Sequence, residues 1–269
     1  MSAALSWRLL TAFLVAGLTF LYAPIIILVV YSFNASPMVT IWTGLSAKWY
    51  GVLARDHEIL RAARISVEIA VISATGATVI GTLAGYALSR FRRFRGRSFF
   101  MGLVMAPLVM PEIVSGIALL LMFVGSEQLF GWPHGRGIMT ICAAHITFCS
   151  AFVAIVIQSR LAGFDSSVEE AALDLGAMPA TVFALVTLPL ILPGIVSAWL
   201  LAFSLSIDDV IISEFTSGPG STTLPLVIFS RVHLGVSPEV NALATIIIAI
   251  VLTATALLTV ARLNRRAAG

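Results

Sequence analysis

The sequence predicts an all-α integral membrane protein with six transmembrane helices. Of its 269 residues, 59% are hydrophobic and 11% are charged, and the mean hydropathy is +1.03. A soluble core of this size needs far fewer apolar side chains. Since a spanning helix needs about 20 mostly apolar residues, we predict one transmembrane domain over residues 1–269. Its spans are residues 9–33, 66–89, 99–123, 138–159, 190–214 and 241–262.

The first apolar stretch raises the question of a secretory signal, because it follows Arg8 near the N-terminus. The stretch runs from about Leu9 to Phe33, which is longer than the apolar region of a signal peptide. No clear small-residue cleavage site follows it. We therefore expect a first membrane helix that is retained.

Arginines between the apolar stretches predict the orientation. The link between the second and third spans holds five of them: Arg90, Arg92, Arg93, Arg95 and Arg97. Cytoplasmic loops carry an excess of basic residues, so this link is predicted to be cytoplasmic, and both termini with it. Arg8 and Arg262 agree with that orientation. These clusters explain the net charge of +3 without a nucleic-acid partner.

The link between the fourth and fifth spans, residues 160–189, carries the most specific pattern. It reads Glu-Ala-Ala at 170–172, then three residues, Gly176, nine residues, and Val-Thr-Leu-Pro at 186–189. Gly176 can adopt the left-handed conformation that ends a helix. Pro179 suits the first turn of the next helix. The pattern predicts two short helices joined at an elbow.

Two acidic residues on the first short helix predict a basic partner. Glu170 and Asp174 lie four residues apart on one face of the helix. Like charges at this spacing destabilise an isolated helix by roughly a few tenths of a kcal/mol. A basic surface opposite them would offset this repulsion. The alternative is a helix that lies on the membrane surface without a protein partner.

The order and spacing in this link resemble the EAA loop of binding-protein-dependent ABC permeases, in which the helix docks into a groove on the ATPase. The resemblance implies that Glu170, Ala171, Ala172 and Gly176 are ATPase-coupling positions. The sequence departs from the family pattern only at Val186, where the pattern has isoleucine. The implied fold is the MetI-like type I ABC importer permease fold, in a bacterial inner membrane.

A longer resemblance is to the second permease subunit of putrescine and spermidine importers. It rests on residues 31–34, 206–209, 217–225 and 241–245, which read YSFN, SIDD, SGPGSTTLP and NALAT. It implies a polyamine substrate, a pair of ATP-binding subunits, a second homologous permease and a periplasmic substrate-binding protein. Permeases for other small solutes share the loop, so another solute remains the alternative.

The chain lacks residues for ATP chemistry of its own. It has no Gly-x-x-x-x-Gly-Lys-Ser/Thr phosphate loop, and Lys48 is its only lysine, so ATP and Mg²⁺ are expected on the partner ATPase.

Cys142 and Cys149 lie in one apolar run and suit buried packing, not a metal site. His145 is predicted to bond a neighbouring helix. We assign no catalytic residue, cofactor or metal.

Carboxylates in or beside the predicted spans are the candidate pathway groups: Asp208, Asp209, Glu112 and Glu214. A carboxylate at the centre of a lipid-exposed helix costs about 2.5–3.5 kcal/mol, so these groups should face protein or water. On a continuous helix, Ser206, Asp209 and Ser213 would form one polar stripe and Asp208 would lie on another. Alternatively, the aspartates cap helices or pair with arginines of the outer loops.

Two other classes of membrane protein are less consistent with the sequence. A secondary transporter driven by an ion gradient would need inverted repeats or discontinuous helices in matched halves, and no convincing similarity relates the halves of this sequence. A membrane enzyme or assembly scaffold is disfavoured because the scattered histidines form no catalytic grouping.

Overall fold

The structure is a computed structural model that describes residues 2–38, 41–91, 93–235 and 237–267. Nearly all of this part of the chain is helical, and six segments in it are long and apolar enough to cross a membrane. They are Leu9–Tyr31, His57–Arg90, Glu112–Phe130, Ile138–Ala162, Pro179–Ile207 and Pro238–Leu257. The predicted six-span helical fold is confirmed over the described residues. Arg92 of the arginine cluster lies outside them.

The helices are joined by links of different lengths. In chain order they are α1 (Ser2–Tyr31), α2 (Lys48–Leu53), α3 (His57–Arg90), α4 (Arg97–Val109), α5 (Glu112–Phe130), α6 (Ile138–Ala162), α7 (Ser167–Asp174), α8 (Pro179–Val182), a π-helical turn (Phe183–Thr187), α9 (Leu188–Ile207), α10 (Ile211–Thr216), α11 (Leu224–Leu234) and α12 (Pro238–Ala267).

The third span differs from its predicted bounds of 99–123. The chain is extended at Met110 and Pro111, with ψ of 136° at both, so α4 and α5 are separate helices. Proline disfavours helical backbone at the residue before it, which explains the break at Met110. Glu112 was expected inside the third span, and it is the first residue of that span, in the first turn of α5.

The fifth span also differs from its predicted bounds of 190–214. It starts earlier, because α8, the π-helical turn and α9 form one helical segment from Pro179 to Ile207. It also ends earlier, so Asp208 and Asp209 lie in a break before α10. The Asp209 carboxylate accepts the backbone N–H groups of Ile212 and Ser213, which stabilises the break. The prediction that one helix continues through the aspartates is wrong.

The chain divides into two compact units, residues 1–60 with 228–269, and residues 61–227. In the first unit, α12 packs against α1 and α2. In the second unit, α6 packs against α9, α4 and α10, and α5 packs against α10. All the candidate coupling and pathway residues belong to the second unit.

Glycines bring α3 close to α6 in the second unit. A Cβ added at Gly81 would lie 2.5 Å from Cβ of Val153, and one added at Gly85 would lie 2.6 Å from the carbonyl oxygen of Ala154. Small residues allow this approach of helix backbones where water supplies no hydrophobic driving force. The packing fixes α3, whose last residue, Arg90, reaches the loop after α6.

Candidate functional site

The link between α6 and α9 forms the elbow that its sequence predicts. Helix α7 ends at Asp174, and Gly176 two residues later has a φ of +87°, which lies in the left-handed region. The Gly176 N–H donates to Leu173 O at 2.9 Å and the Ala177 N–H donates to Ala172 O at 3.2 Å. These two bonds close the last turn around a left-handed glycine. Pro179 is the first residue of α8, as expected.

The outer face of α7 is open to solution. Glu170 and Ala171 are exposed and Ala172 is half-buried. Ser166 Oγ donates to Glu170 Oε1 at 3.1 Å. The Ser167 backbone N–H bonds Asp165 and holds the pKa of that exposed carboxyl below its usual range. This face of α7 therefore presents the exposed carboxylate of Glu170 next to the small side chains of Ala171 and Ala172.

Large apolar side chains surround the elbow. Leu175 and Met178, on either side of Gly176, are 90% and 74% exposed. Apolar side chains grouped beside charged ones are typical of a surface that binds a partner. The elbow thus presents two kinds of contact, carboxylates on α7 and apolar groups around the turn.

Glu169, which sequence reasoning passed over, points into the protein. Its side chain is buried, with 7% of the residue exposed. Arg90 Nε pairs with Glu169 Oε2 at 2.8 Å, and Arg90 Nη2 donates to Oε1 at 3.2 Å. Thr187 Oγ1 donates to the same Oε1 at 2.7 Å. The available signal was helical spacing, since Glu169 shares a face with the half-buried Ala172.

Aromatic contacts add to the Arg90–Glu169 contacts between α3 and the link that joins α6 to α9. The rings of Tyr86 and Phe183 meet edge to face, with centroids 4.7 Å apart. The Arg90 guanidinium lies 5.8 Å from the ring centroid of Phe164. Phe164 precedes α7 and Phe183 begins the π-helical turn, so the end of α3 contacts the link on both sides of the elbow.

Asp209 lies in a buried polar network centred on His145, which is 1% exposed. His145 Nδ1 is 2.7 Å from Ser206 Oγ, and Nε2 is 3.2 Å from both Asp209 Oδ2 and Ser213 Oγ. The predicted bond from His145 to a neighbouring helix is confirmed, with Ser206 of α9. The predicted grouping of Ser206, Asp209 and Ser213 also occurs, although the backbone between them is not one helix.

The other three acids are exposed: Asp208, Glu112 and Glu214. Glu112 and Glu214 lie on helices that pack together, since a Cβ added at Gly116 of α5 would lie 2.5 Å from the Phe215 ring of α10. Glu112 is one turn from Gly116, and Glu214 precedes Phe215. Their carboxylates therefore belong to one pair of packed helices, while Asp208 directly follows the last residue of α9.

The described residues contain no group of three or more His, Cys, Asp and Glu side chains arranged to hold a metal ion. Cys142 and Cys149 are free and buried.

In the described part of the chain, six helices that are long and apolar enough to cross a membrane define the class of polytopic membrane proteins. More particularly, the chain belongs to the family described as binding-protein-dependent transport system inner membrane component, which it matches over residues 77–269.

Similar proteins agree with this membership. The chain is 54% identical over 242 residues to the putrescine transport system permease protein PotI of Escherichia coli (strain K12), covering 90% of this chain and 85% of that one. It is 46% identical over 236 residues to the spermidine/putrescine transport system permease protein PotC of the same strain, covering 88% and 87%. A bacterial ABC transporter involved in the import of alginate shares the fold, with a TM-score of 0.74 at 18% identity over 97% and 98% of the chains.

The chain is therefore a permease subunit of an ABC importer with the MetI-like fold, and a multi-pass protein of the inner membrane. It is non-catalytic, because ATP hydrolysis in these importers belongs to a separate ATPase. Family membership excludes the secondary transporter and the membrane enzyme as classes.

Proposed function

We propose that this chain forms half of the translocation pathway for a polyamine, putrescine or spermidine, in an ATP-driven importer. The observation that carries the proposal is its 54% and 46% identity, over most of its length, to permeases named for these two solutes. A permease for another small solute is the alternative.

The exposed acids support a cationic solute. A polyamine is a flexible apolar chain with ammonium ends, and carboxylates attract such ends as they pass. Asp208, Glu112 and Glu214 are exposed carboxylates of the kind that such a pathway needs. Asp209 has protein partners for its carboxylate, so we propose that it acts by fixing the backbone that carries Asp208.

The elbow supports docking of a separate ATPase through Glu170, Ala171, Ala172 and Gly176. Glu170 offers charge, and the two alanines allow a close approach. In the proposed orientation the elbow and both termini are cytoplasmic, as the arginine-rich link between α3 and α4 favours. The ATPase, not this chain, would bind ATP and Mg²⁺.

The proposed complex contains a pair of ATP-binding subunits, a second homologous permease and a periplasmic substrate-binding protein. The family description supports the last of these, since it names transport that depends on a binding protein. The second permease would supply the other half of the pathway and its own elbow. We propose no cofactor for this chain.

Uptake by the complete importer in proteoliposomes tests the substrate. We expect uptake of labelled putrescine or spermidine that requires ATP and the binding protein, and that unlabelled polyamine suppresses while glutamate and glucose do not. The control is the same complex with an ATPase unable to hydrolyse ATP. Uptake of only an anionic or neutral solute would remove the polyamine assignment.

A further inference from the structure

We propose that Glu169, Arg90 and Thr187 form a clamp that fixes the docking helix α7 to the second and fifth spans, so that movement of a bound ATPase reaches both. This inference rests on the proposed docking of the ATPase at the elbow. It assigns to Glu169 a positioning role distinct from the docking role of its neighbour, Glu170.

The clamp joins three segments that are far apart in sequence. Glu169 lies in α7, Arg90 is the last residue of the second span, and Thr187 ends the π-helical turn that leads into α9. One carboxylate receives all three contacts, at 2.8 and 3.2 Å from Arg90 and 2.7 Å from Thr187. Neither span can therefore shift relative to α7 without breaking a bond to Glu169.

Burial makes these bonds costly to break. The side chains of Arg90 and Glu169 are 19% and 10% exposed, so water cannot readily replace a lost partner. A buried charge left without its partner is strongly unfavourable. Glu170, one residue away, is exposed and is bonded only by Ser166 of its own segment among the described contacts. Glu169 therefore attaches α7 to the rest of the protein, whereas Glu170 is exposed and can contact a partner.

The contacts around the clamp indicate that it transmits movement of α7 to the two spans and does not only hold α7 in place. Tyr86 packs on Phe183 and Arg90 lies beside Phe164, on opposite sides of the elbow. The π-helical turn that holds Phe183 and Thr187 continues into the fifth span without a loop. Such turns occur frequently at functional sites in helices. Rotation of α7 would consequently act on the end of α3 and on the start of α9 together.

The test measures the amount of solute transported per ATP hydrolysed by the complete importer in proteoliposomes. In Glu169→Gln we expect this ratio to fall about fivefold, and in Thr187→Val about twofold, because one charged and one neutral hydrogen-bonding contact are lost. Because Glu169→Gln leaves the buried charge of Arg90 without its partner, less complex should assemble, and the ratio is compared at equal amounts of complex with co-purified ATPase. Arg90→Gln should lower the ratio less when Glu169→Gln is already present than it does alone, since the two residues share one interaction.

Matched controls remove comparable groups elsewhere. Glu68→Gln breaks the exposed Arg64–Glu68 pair of α3, and Thr181→Val removes an exposed hydroxyl from α8. Both should keep the parental ratio. A ratio that stays parental in Glu169→Gln and Thr187→Val while the ATPase remains bound would overturn the clamp.

Two further outcomes separate the clamp from its premise. If Glu169→Gln does not assemble, the milder Thr187→Val decides, and an unchanged ratio in it overturns the clamp. If the ATPase binds and couples normally after the exposed Glu170 is changed to Ala together with Gly176 to Val, the proposed docking site fails, and the clamp that rests on it fails too.

Discussion

Replacing Gly176 with valine is expected to lower ATP-driven uptake about tenfold or more while the subunit still inserts in the membrane. The left-handed backbone costs a residue with a Cβ about 1–2 kcal/mol, and a β-branched residue is the least suited to it. A Cβ added at Gly176 would meet nothing within 4 Å, so the penalty is conformational and not a collision. Substrate-stimulated ATP hydrolysis should fall with uptake, because the elbow would no longer hold α7 at its angle.

The neighbouring sequence offers matched controls for this prediction. Gly163, which ends α6, has an ordinary φ of −87°, so Gly163→Val should couple almost normally. Gly176→Asn should retain most activity, since asparagine tolerates the left-handed region better than other residues with a Cβ. Uptake and stimulated hydrolysis are measured on complexes of equal subunit content. Normal coupling in Gly176→Val would sink the proposed role of the elbow.

The number of spans was predictable because hydropathy sums over whole helices, whereas the breaks within them were not. Met110 and Pro111 lie among apolar residues, and an average over a span does not register two extended residues. The start of the fifth span was missed for a related reason. A second short helix was predicted to begin at Pro179, but the sequence did not indicate that it continues through the π-helical turn Phe183–Thr187 into α9 without a break.

The sequence predicted the candidate site correctly where the type of a single residue determines its backbone conformation. Gly176 could be assigned a left-handed turn from its type and position alone. Glu169 could not be told from Glu170, since the partner that buries it, Arg90, lies 79 residues away. The grouping of Ser206 with Asp209 was predicted from the spacing of a continuous helix, yet it arises because His145 of α6 binds both.

Neighbouring aspartates in the break after α9 are expected to respond differently to substitution. Asp209 accepts bonds from the Ser213 backbone and from the buried His145 network, so Asp209→Ala leaves buried groups without partners at about 1–3 kcal/mol each. We expect about tenfold less folded subunit in the membrane. Asp208 is exposed at the end of α9, so Asp208→Asn should leave the subunit level unchanged.

Uptake per folded complex then separates a positioning role from a pathway role. Asp208→Asn should lower initial polyamine uptake about fivefold, as the loss of one exposed charge contact of about 1 kcal/mol would. Asp209→Asn keeps the shape of the side chain and a carbonyl acceptor for the Ser213 N–H, so more of the subunit should fold than in Asp209→Ala.

The measurement is labelled putrescine uptake at matched subunit levels, with Ser206→Ala as the control that weakens the His145 network without removing a charge. Asp209→Asn should resemble Ser206→Ala, with fewer complexes and near-parental uptake in each. Unchanged uptake in both aspartate-to-asparagine variants would remove these residues from the transport mechanism, whereas a larger loss per complex in Asp209→Asn than in Asp208→Asn would reverse their proposed roles.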